Sequence, residues 1–549
     1  MLSHFAIFSQ VARSSSRSAR LADRCIASWA TVDPNSLSAA NPAQCYNLVN
    51  GEWQLSNTSA TIPDPYNGEP FIKYPDTQSN EIEHFVKSLR STPKSGLHNP
   101  LKNPERYILY GDVSAKVAEE LRKPEVADFF ARLVQRVSPK SYSQAMAEVT
   151  VSQRFFENFS GDQVRFTAKS SGISGDHPGQ YCNSYRFPFG PVGLITPFNF
   201  PLEIPALQLA GALFMGNRPL LHVDRRVSLV PEQMVRMLQH CGMPSTDMDM
   251  IHGDGKVIND LLIQAQPRST LFTGSHRIAN KLSKDLGGRV FLEDAGFDWK
   301  ILGPDVEQED YVAWVCDQDA YSSSGQKCSA QSILFMHTNW ANAGFVDKIA
   351  ERASRRKMED GTVGPVLTWT TDGMLGHVEW LLKIPGAKVL FGGSPLEGHS
   401  IPDCYGAIKP TAVFVPLEEI LKDENFDLVT TEVFGPVQVV TEYNDAMLPM
   451  VLEAVEKMNA HLSAAVVSNN HEFLSKVLGN TVNGTTYAGL RARCTGAPQN
   501  HWFGPASDPR AAGIGTPDAI RLVWSCHREI VNDFGPVPQA PDGGDYPST

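Results

Sequence analysis

Residues 190–216 read GPVGLITPFNFPLEIPALQLAGALFMG, and this stretch decides the fold. It holds one charged residue, Glu203, and is as long as a membrane span. Four prolines (Pro191, Pro197, Pro201 and Pro205) and Asn199 interrupt it. A spanning helix needs about 20 continuous apolar residues, with every backbone group satisfied inside it. The stretch therefore reads as a buried strand, a Pro-rich turn, and a buried helix from about Leu202 to Met215. Further along, the same grammar repeats. Short apolar strands are expected at Val192–Thr196, Pro219–Val223, Met250–His252, Leu271–Thr273 and Val290–Leu292. Helices at about 231–241, 257–265 and 276–286 separate them. Strand and helix alternating at this spacing predict a parallel sheet with helices on both faces.

Upstream, residues 46–54 (YNLVNGEWQ) read as a hairpin turning at Asn50-Gly51. Residues 105–160 read as helices, with Val113, Val117 and Leu121 on one face and Val126, Phe130, Leu133 and Val137 following Pro124. Downstream, the pattern restarts after Gly296. A helix over 307–320 leads to the polar turn Ser322–Lys327, and strands follow near 332–337, 387–391, 411–416, 437–441 and 463–467. That is a second α/β unit, with the boundary expected near 296–304 and no internal repeat. The tail 535–549 is rich in Pro and Gly and reads as extended.

Composition narrows the function classes. Apolar residues make up 42% and charged residues 20% of 549, ordinary for a globular protein. Mean hydropathy is -0.23. Sixty acidic residues against 48 basic ones give a formal net charge of -12, a poor balance for displacing counterions from DNA or RNA. Neither nucleic acid nor a membrane is expected as a partner. The first thirty residues differ from the rest: Arg13, Arg17, Arg20 and Arg24 stand against one acid, Asp23, among many serines. This Arg-rich, Ser-rich, acid-poor segment reads as a transit peptide over 1–30 and points to the mitochondrial matrix. The nine cysteines form no C-x-x-C pair and are odd in number, so neither a disulfide framework nor a zinc cluster is expected. No metal is expected; a single working thiol is.

Four places can carry chemistry. Cys328 lies in the polar turn Ser324-Gly-Gln-Lys-Cys-Ser-Ala330, where adjacent Lys327 is placed to favour a thiolate; a buried inert cysteine is the plainer alternative. Asn199, between Phe198 and Phe200, is either a turn former or a rigid donor to an oxyanion. Glu293 ends an apolar strand near the domain boundary, as a general base or a solvated strand end. Leu271–Ser275 followed by the Ile278/Leu282/Leu286 helix reads as strand, turn and helix N-terminus, which can hold a pyrophosphate. No G-x-G-x-x-G occurs.

Taken together and in order, these segments resemble the aldehyde dehydrogenase superfamily. P-x-N-F-P appears as Pro197-Phe-Asn-Phe-Pro201, F-T-G-S as Phe272–Ser275, and the strand-end glutamate as Glu293-Asp-Ala-Gly296. G-Q-x-C appears as Gly325-Gln-Lys-Cys328, E-x-F-G-P as Glu432-Val-Phe-Gly-Pro436, and the late F-G-G element as Phe503-Gly-Pro505. The resemblance covers about 45–530 and is nearest to the mitochondrial glutamate-semialdehyde (1-pyrroline-5-carboxylate) dehydrogenases of the plant-type family 12. It implies an α/β fold of two Rossmann-type parallel-sheet domains plus a small β-hairpin oligomerisation element. The expected division is an NAD-binding domain over 40–173 and 191–298, an oligomerisation element over 174–190 and 525–549, and a catalytic domain over 299–524. It also implies NAD as cofactor, a small semialdehyde as substrate, and a homodimer or homotetramer. Cys328 would be the nucleophile, Asn199 the oxyanion donor and Glu293 the base. Thr196, Pro197, Phe198, His222, Asp224, Gly274, Ser275, Glu432 and Phe434 would contact the cofactor. Phe200, Lys327, Ser329 and Gly513 would contact the substrate.

The chain also departs from the pattern. The family's K-x-[AS]-E is His222-Val-Asp-Arg225 here. His222 can still donate a hydrogen bond and Asp224 can accept one from a ribose hydroxyl. Arg225 and Arg226 are equally suited to attract a 2′-phosphate, which leaves NADP open beside NAD. Ala279 stands where a glycine is usual, and Asp294-Ala295 where Leu-Gly is usual. Three other readings remain: the same fold acting on succinic or methylmalonic semialdehyde, a cofactor-independent cysteine hydrolase, and a catalytically silent member.

Overall fold

The computed structural model describes residues 27–294, 296–495, 501–506, 508–537 and 539. The apolar stretch after Gly190 forms the centre of the first sheet. Strand β1 (Pro191–Thr196) lies between β2 (Arg218–Val223) and β4 (Ser269–Thr273); β3 (Asp249–Ile251) and β5 (Val290–Glu293) flank these. All four pairings in the order β5-β4-β1-β2-β3 are parallel. Helices cover both faces, so these strands are continuously apolar rather than alternating. The chain runs outward from β1 to β3, then returns to the other side of β1 at β4. The switch point therefore falls between the carboxyl ends of β1 and β4, where crevices form in such sheets. The hairpin Asn47–Val49 and Glu52–Gln54 extends the edge beyond β3, with Asn50 and Gly51 both at positive φ in its turn.

The helices over 105–160 are Glu105–Arg122, Pro124–Val137 and Tyr142–Asn158, with Pro124 at the first turn of the second. Their predicted faces are buried. We label Tyr142–Asn158 α1 and Glu203–Phe214 α2. The helix α2 is buried nearly all round.

The second sheet holds β6 (Asp298–Leu302), β7 (Gln331–His337), β8 (Thr411–Phe414), β9 (Val437–Tyr443), β10 (Ser463–Val467) and β11 (Thr485–Ala488). Its order is β8-β9-β7-β6-β10-β11, all parallel, with Lys388–Phe391 antiparallel at the β8 edge. The central strand β6 lies within the stretch where the domain boundary was expected. Its Asp298 and Lys300 look like surface residues but are wholly buried. Lys300 pairs with Asp319 at 2.8 Å, and Asp298 accepts from the Ser463 N–H at 2.7 Å. The passage from sheet to sheet is thus residues 294–297, ahead of the expected 296–304.

A third sheet joins Ser171–Ser174, Gln180–Pro188 and Ser525–Asp533. The last strand pairs antiparallel with the second from Ser525↔Pro188 to Asp533↔Gln180. The first strand begins at Ser171, so a boundary between 173 and 174 would cut it. No helix among the described residues is long and apolar enough to cross a membrane.

The expected leader needs a correction at its end. Residues 1–26 lie outside the described residues, but Trp29 and Ala30 are buried in the main core. The Trp29 ring stacks on Phe130 and meets Phe129 edge-on, both at 5.6 Å. A cut at Ala30 would remove a packed indole, so Trp29 and Ala30 belong to the folded core rather than to a leader. Removal of a buried Trp costs about 3–5 kcal/mol. We predict that a chain starting at residue 27 keeps the thermal midpoint of the full chain. A chain starting at 31, or Trp29→Ala, melts several degrees lower; equal midpoints would refute the packing role.

Candidate active site

The passage between the sheets builds the site. Glu293 ends β5, and residues 294–297 cross to β6. A Cβ on Gly296 would lie 2.4 Å from the Cys328 carbonyl and 2.7 Å from Glu432 Oε1. Only bare backbone lets the nucleophile turn and Glu432 approach so closely. On the far side, a Cβ on Gly325 would lie 2.0 Å from the Gly435 carbonyl, and Gly325 has φ +71°. The Gly325–Cys328 turn is thereby clamped between the crossing and the Glu432–Pro436 loop.

Side chains lock that turn further. Ser323 and Ser324 both take positive φ. Ser324 Oγ accepts from the Gly364 N–H at 2.8 Å. Gln326 donates to the Pro365 carbonyl at 3.0 Å and accepts from the Leu367 N–H at 2.8 Å. Lys327 is buried, and its Nζ donates to Ser322 Oγ at 2.7 Å and the Gln318 carbonyl at 3.0 Å. Burial pushes its ammonium down to about 8. Lys327 therefore faces the preceding helix, and the expectation that it contacts substrate is corrected: it ties the turn down from behind.

Cys328 faces a cavity of about 230 Å³ that Glu293, Ser329, Phe200, Glu148 and Glu203 also line. Burial pushes the Cys328 thiol well above its usual range, and the Glu293, Asp298 and Glu432 carboxyls add to this. Burial likewise pushes Glu293 up to about 7, opposed by its hydrogen bond with Cys328. The resting pair is thus a protonated thiol beside a poised carboxyl, rather than a thiolate held by Lys327. Glu293 Oε1 is buried without a partner.

Asn199 is buried in the turn after β1, at the switch point. Its carbonyl accepts from Lys140 Nζ at 2.7 Å and Ser138 Oγ at 3.4 Å, while its Nδ2 is buried with no partner. A buried donor left unpaired is costly unless something else is to accept from it. Gly513 lies behind the cavity wall, where a Cβ would strike the Trp502 indole at 2.4 Å. Ile514 and Gly515 line the cavity instead, which corrects the place given to Gly513. The loop is held there by Leu292, which hydrogen-bonds to Arg510 and Ala512, and by Phe503 paired with Ile514. The sequence reading missed Gln144, Glu148, Tyr487, His501 and Glu203 as lining residues. Glu203 alone left a signal, as the one charge in an apolar stretch.

A second cleft of about 690 Å³ opens beyond the carboxyl end of β2, lined by His222, Asp224, Arg225, Arg226, Gly253 and Tyr405 among others. His222 is half-buried, and its Nδ1–H donates to the Ile251 carbonyl at 3.2 Å. Burial lowers its pKa, so Nε2 is left as an acceptor rather than the expected donor. Asp224 is occupied by Arg226, through Nε at 2.9 Å and Nη2 at 2.6 Å. Arg226 also donates to the Leu367 carbonyl and lies 4.8 Å from the Phe198 ring. Phe198 meets Phe434 edge-on at 5.7 Å, which joins the cleft to the Glu432 loop. Arg225 is exposed, with only a 3.5 Å contact to Tyr74 Oη. Pro197 is half-buried just past β1. Thr196 Oγ1 there is buried and unpartnered. Gly274 and Ser275 lead into helix His276–Asp285, where the Ser275 hydroxyl makes no capping bond. Among the described residues no group of His, Cys, Asp and Glu is arranged to hold a metal.

A profile of the aldehyde dehydrogenase family matches residues 53–504. A Linum usitatissimum protein called a probable aldehyde dehydrogenase is 66% identical over 509 residues, 93% of this chain and 92% of that protein. The mitochondrial delta-1-pyrroline-5-carboxylate dehydrogenase 12A1 of Arabidopsis thaliana is 63% identical over 512 residues, again 93% and 92%. Among solved structures, PnpE in complex with nicotinamide adenine dinucleotide superposes with a TM-score of 0.78 at 18% identity, covering 90% of this chain and 99% of that one.

The thiol–carboxyl pairing gives a direct test. Because Glu293 raises the Cys328 pKa, Glu293→Gln is expected to speed iodoacetamide alkylation of Cys328 at pH 8 in cofactor-free protein. A slower or equal rate would show that the carboxyl does not hold the thiol proton.

Proposed function

The chain belongs to the aldehyde dehydrogenase family, and on that premise we propose that it oxidises L-glutamate γ-semialdehyde, the open form of 1-pyrroline-5-carboxylate, to L-glutamate with NAD, in the mitochondrial matrix. The observation that carries this reading is the cavity uniting Cys328, Glu293 and Ser329, with Phe200, the residue after Asn199, in its wall. The 63% identity to a 1-pyrroline-5-carboxylate dehydrogenase over nearly the whole chain supports the substrate.

The residues fit the cofactor. The Thr196 hydroxyl, the Ser275 hydroxyl and the free N–H groups of helix His276–Asp285 surround the switch point, where a pyrophosphate would sit. With its Nδ1–H on the Ile251 carbonyl, His222 Nε2 would accept from a ribose hydroxyl and would disfavour the oxygens of a 2′-phosphate, which supports NAD. Phe434 and Phe198, in edge-on contact, would border the nicotinamide, and Glu432 would hold its ribose. When bound, NAD supplies the hydride acceptor.

The chain's own residues do the rest. Glu293 takes the Cys328 proton, and the sulfur attacks the aldehyde carbon. The Asn199 Nδ2 and the Cys328 backbone N–H stabilise the oxyanion. After oxidation the acyl group remains on Cys328 as a thioester. Glu293 releases the Cys328 proton to solvent, then takes one from water; the hydroxide adds to the acyl carbon, and the Cys328 sulfur leaves and takes that proton back. Ser329 and Phe200 bound the substrate. The third sheet leaves Ile173, Tyr181, Val531 and Phe534 exposed, which supports its role as an oligomerisation element in a dimer or tetramer.

Purified enzyme is expected to form NADH with glutamate semialdehyde faster, per kcat/KM, than with succinic or methylmalonic semialdehyde, and with NAD better than with NADP. A preference for another semialdehyde would overturn the substrate; absence of any NAD(P)H signal would favour a hydrolase. Asn199→Ala is expected to lower kcat by about 10²–10³-fold. Turnover should fall as pH drops through about 7, where Glu293 gains its proton. Light scattering at micromolar concentration should give a dimer or tetramer; a monomer would refute the assembly.

A further inference from the structure

Two carboxyls besides Glu293 line the cavity, and they differ in one respect. Glu148 is satisfied by the protein: its Oε1 accepts from the Leu202 and Glu203 N–H groups at 2.7 and 3.0 Å, and its Oε2 from Lys140 Nζ at 3.2 Å. Glu203 is half-buried at the first turn of α2, and neither of its oxygens accepts a hydrogen bond from any described residue. The charged groups around it are Glu148, Lys140 and Glu293. Lys140 is already spent on Glu148 and the Asn199 carbonyl, so Glu203 faces the cavity without a countercharge. The buried, unpartnered Glu293 Oε1 lines the same space. Most of the remaining wall is apolar, including Val151, Phe155, Ile204 and Leu207. A carboxyl that faces a largely apolar cavity and accepts no hydrogen bond from a described residue calls for a cationic or hydrogen-donating ligand group.

Resting on the substrate reading above, we propose that Glu203 binds the α-ammonium of the amino-acid semialdehyde and thereby selects it over semialdehydes that lack an amine. Burial, with Glu148 next and Glu293 a smaller contributor, pushes the empty-site Glu203 up to about 8, against the opposing pull of Lys140. An arriving ammonium supplies the missing charge and favours the carboxylate. The interaction has a chemical consequence. Glutamate semialdehyde closes on itself when its neutral amine attacks its own aldehyde and water leaves, forming the cyclic imine. An ammonium held by a carboxylate keeps its proton, has no lone pair to attack with, and leaves the aldehyde open for Cys328.

The test compares glutamate semialdehyde with succinic semialdehyde, with NAD, in the full chain. Glu203→Gln keeps the shape and removes the charge. The ratio of kcat/KM for glutamate over succinic semialdehyde is expected to fall about tenfold, mostly through KM for the amino substrate. Glu203→Asp, which keeps the charge, should recover part of that preference. A ratio in Glu203→Gln within threefold of wild type overturns the inference, as does an equal loss on both substrates in both variants. Wild-type enzyme without preference for glutamate semialdehyde overturns the substrate reading, and this inference with it. Wild-type preference that survives Glu203→Gln overturns the inference alone.

Discussion

Lys140 and Glu148 form an ion pair inside the protein, with side-chain exposures of 1% and 0%, and the active-site turn hangs on it. Burying two charges costs several kcal/mol per ion unless nearby groups meet their remaining valences. Here they do. Lys140 Nζ donates to the Asn199 carbonyl and lies 4.7 Å from the Phe200 ring centre. Glu148 accepts two of the unpaired N–H groups at the start of α2 and places negative charge at that terminus. Lys140 thus holds the middle of the Pro197–Pro201 turn, and Glu148 holds the chain just past its end. The prolines restrict φ, the ion pair fixes the carbonyl, and the Asn199 amide is left with its donor bare. The cost of that bare donor is carried by the scaffold, as preorganised oxyanion sites require.

The second constraint is the four-residue crossing from β5 to β6. It forces Glu293 to end one sheet within reach of a turn that precedes β7 in the other. Gly296 and Gly325 remove the side chains that would hold the two apart. The resulting electrostatics suit a resting enzyme. Burial and the nearby carboxyls favour a protonated Cys328, and burial lifts Glu293 to about 7.

Much of the fold was legible because its parallel strands are apolar runs, which follow directly from coverage on both faces. The β1–turn–α2 reading at 191–214 and the restart after Gly296 came from that signal. β6 was invisible for the same reason: Asp298 and Lys300 break the run, and only Ser463 and Asp319, distant in sequence, explain their burial. β11 and the strand Ser525–Asp533 were missed as strands, the latter because it is largely exposed and alternates polar residues. In the site, order along the chain pointed to Cys328, Asn199 and Glu293. Direction did not: adjacency put Lys327 beside the thiol, whereas the turn's positive-φ residues send it backward. His222 and Asp224 lie in the cleft as expected, but their partners Ile251 and Arg226 decide what they offer a ligand.

In the proposed reaction one thiol forms an acyl bond that one carboxyl must hydrolyse. Glu293→Gln, mixed rapidly with NAD and glutamate semialdehyde, tests this most directly by pairing pre-steady-state NADH absorbance with intact-protein mass spectrometry. The predicted result is NADH formation slower than in wild type, because the base for the thiol is gone, that stops near one NADH per active site with the glutamyl adduct on Cys328. NADH formation continuing well past one per site, or an unmodified Cys328 after NADH has formed, would contradict it.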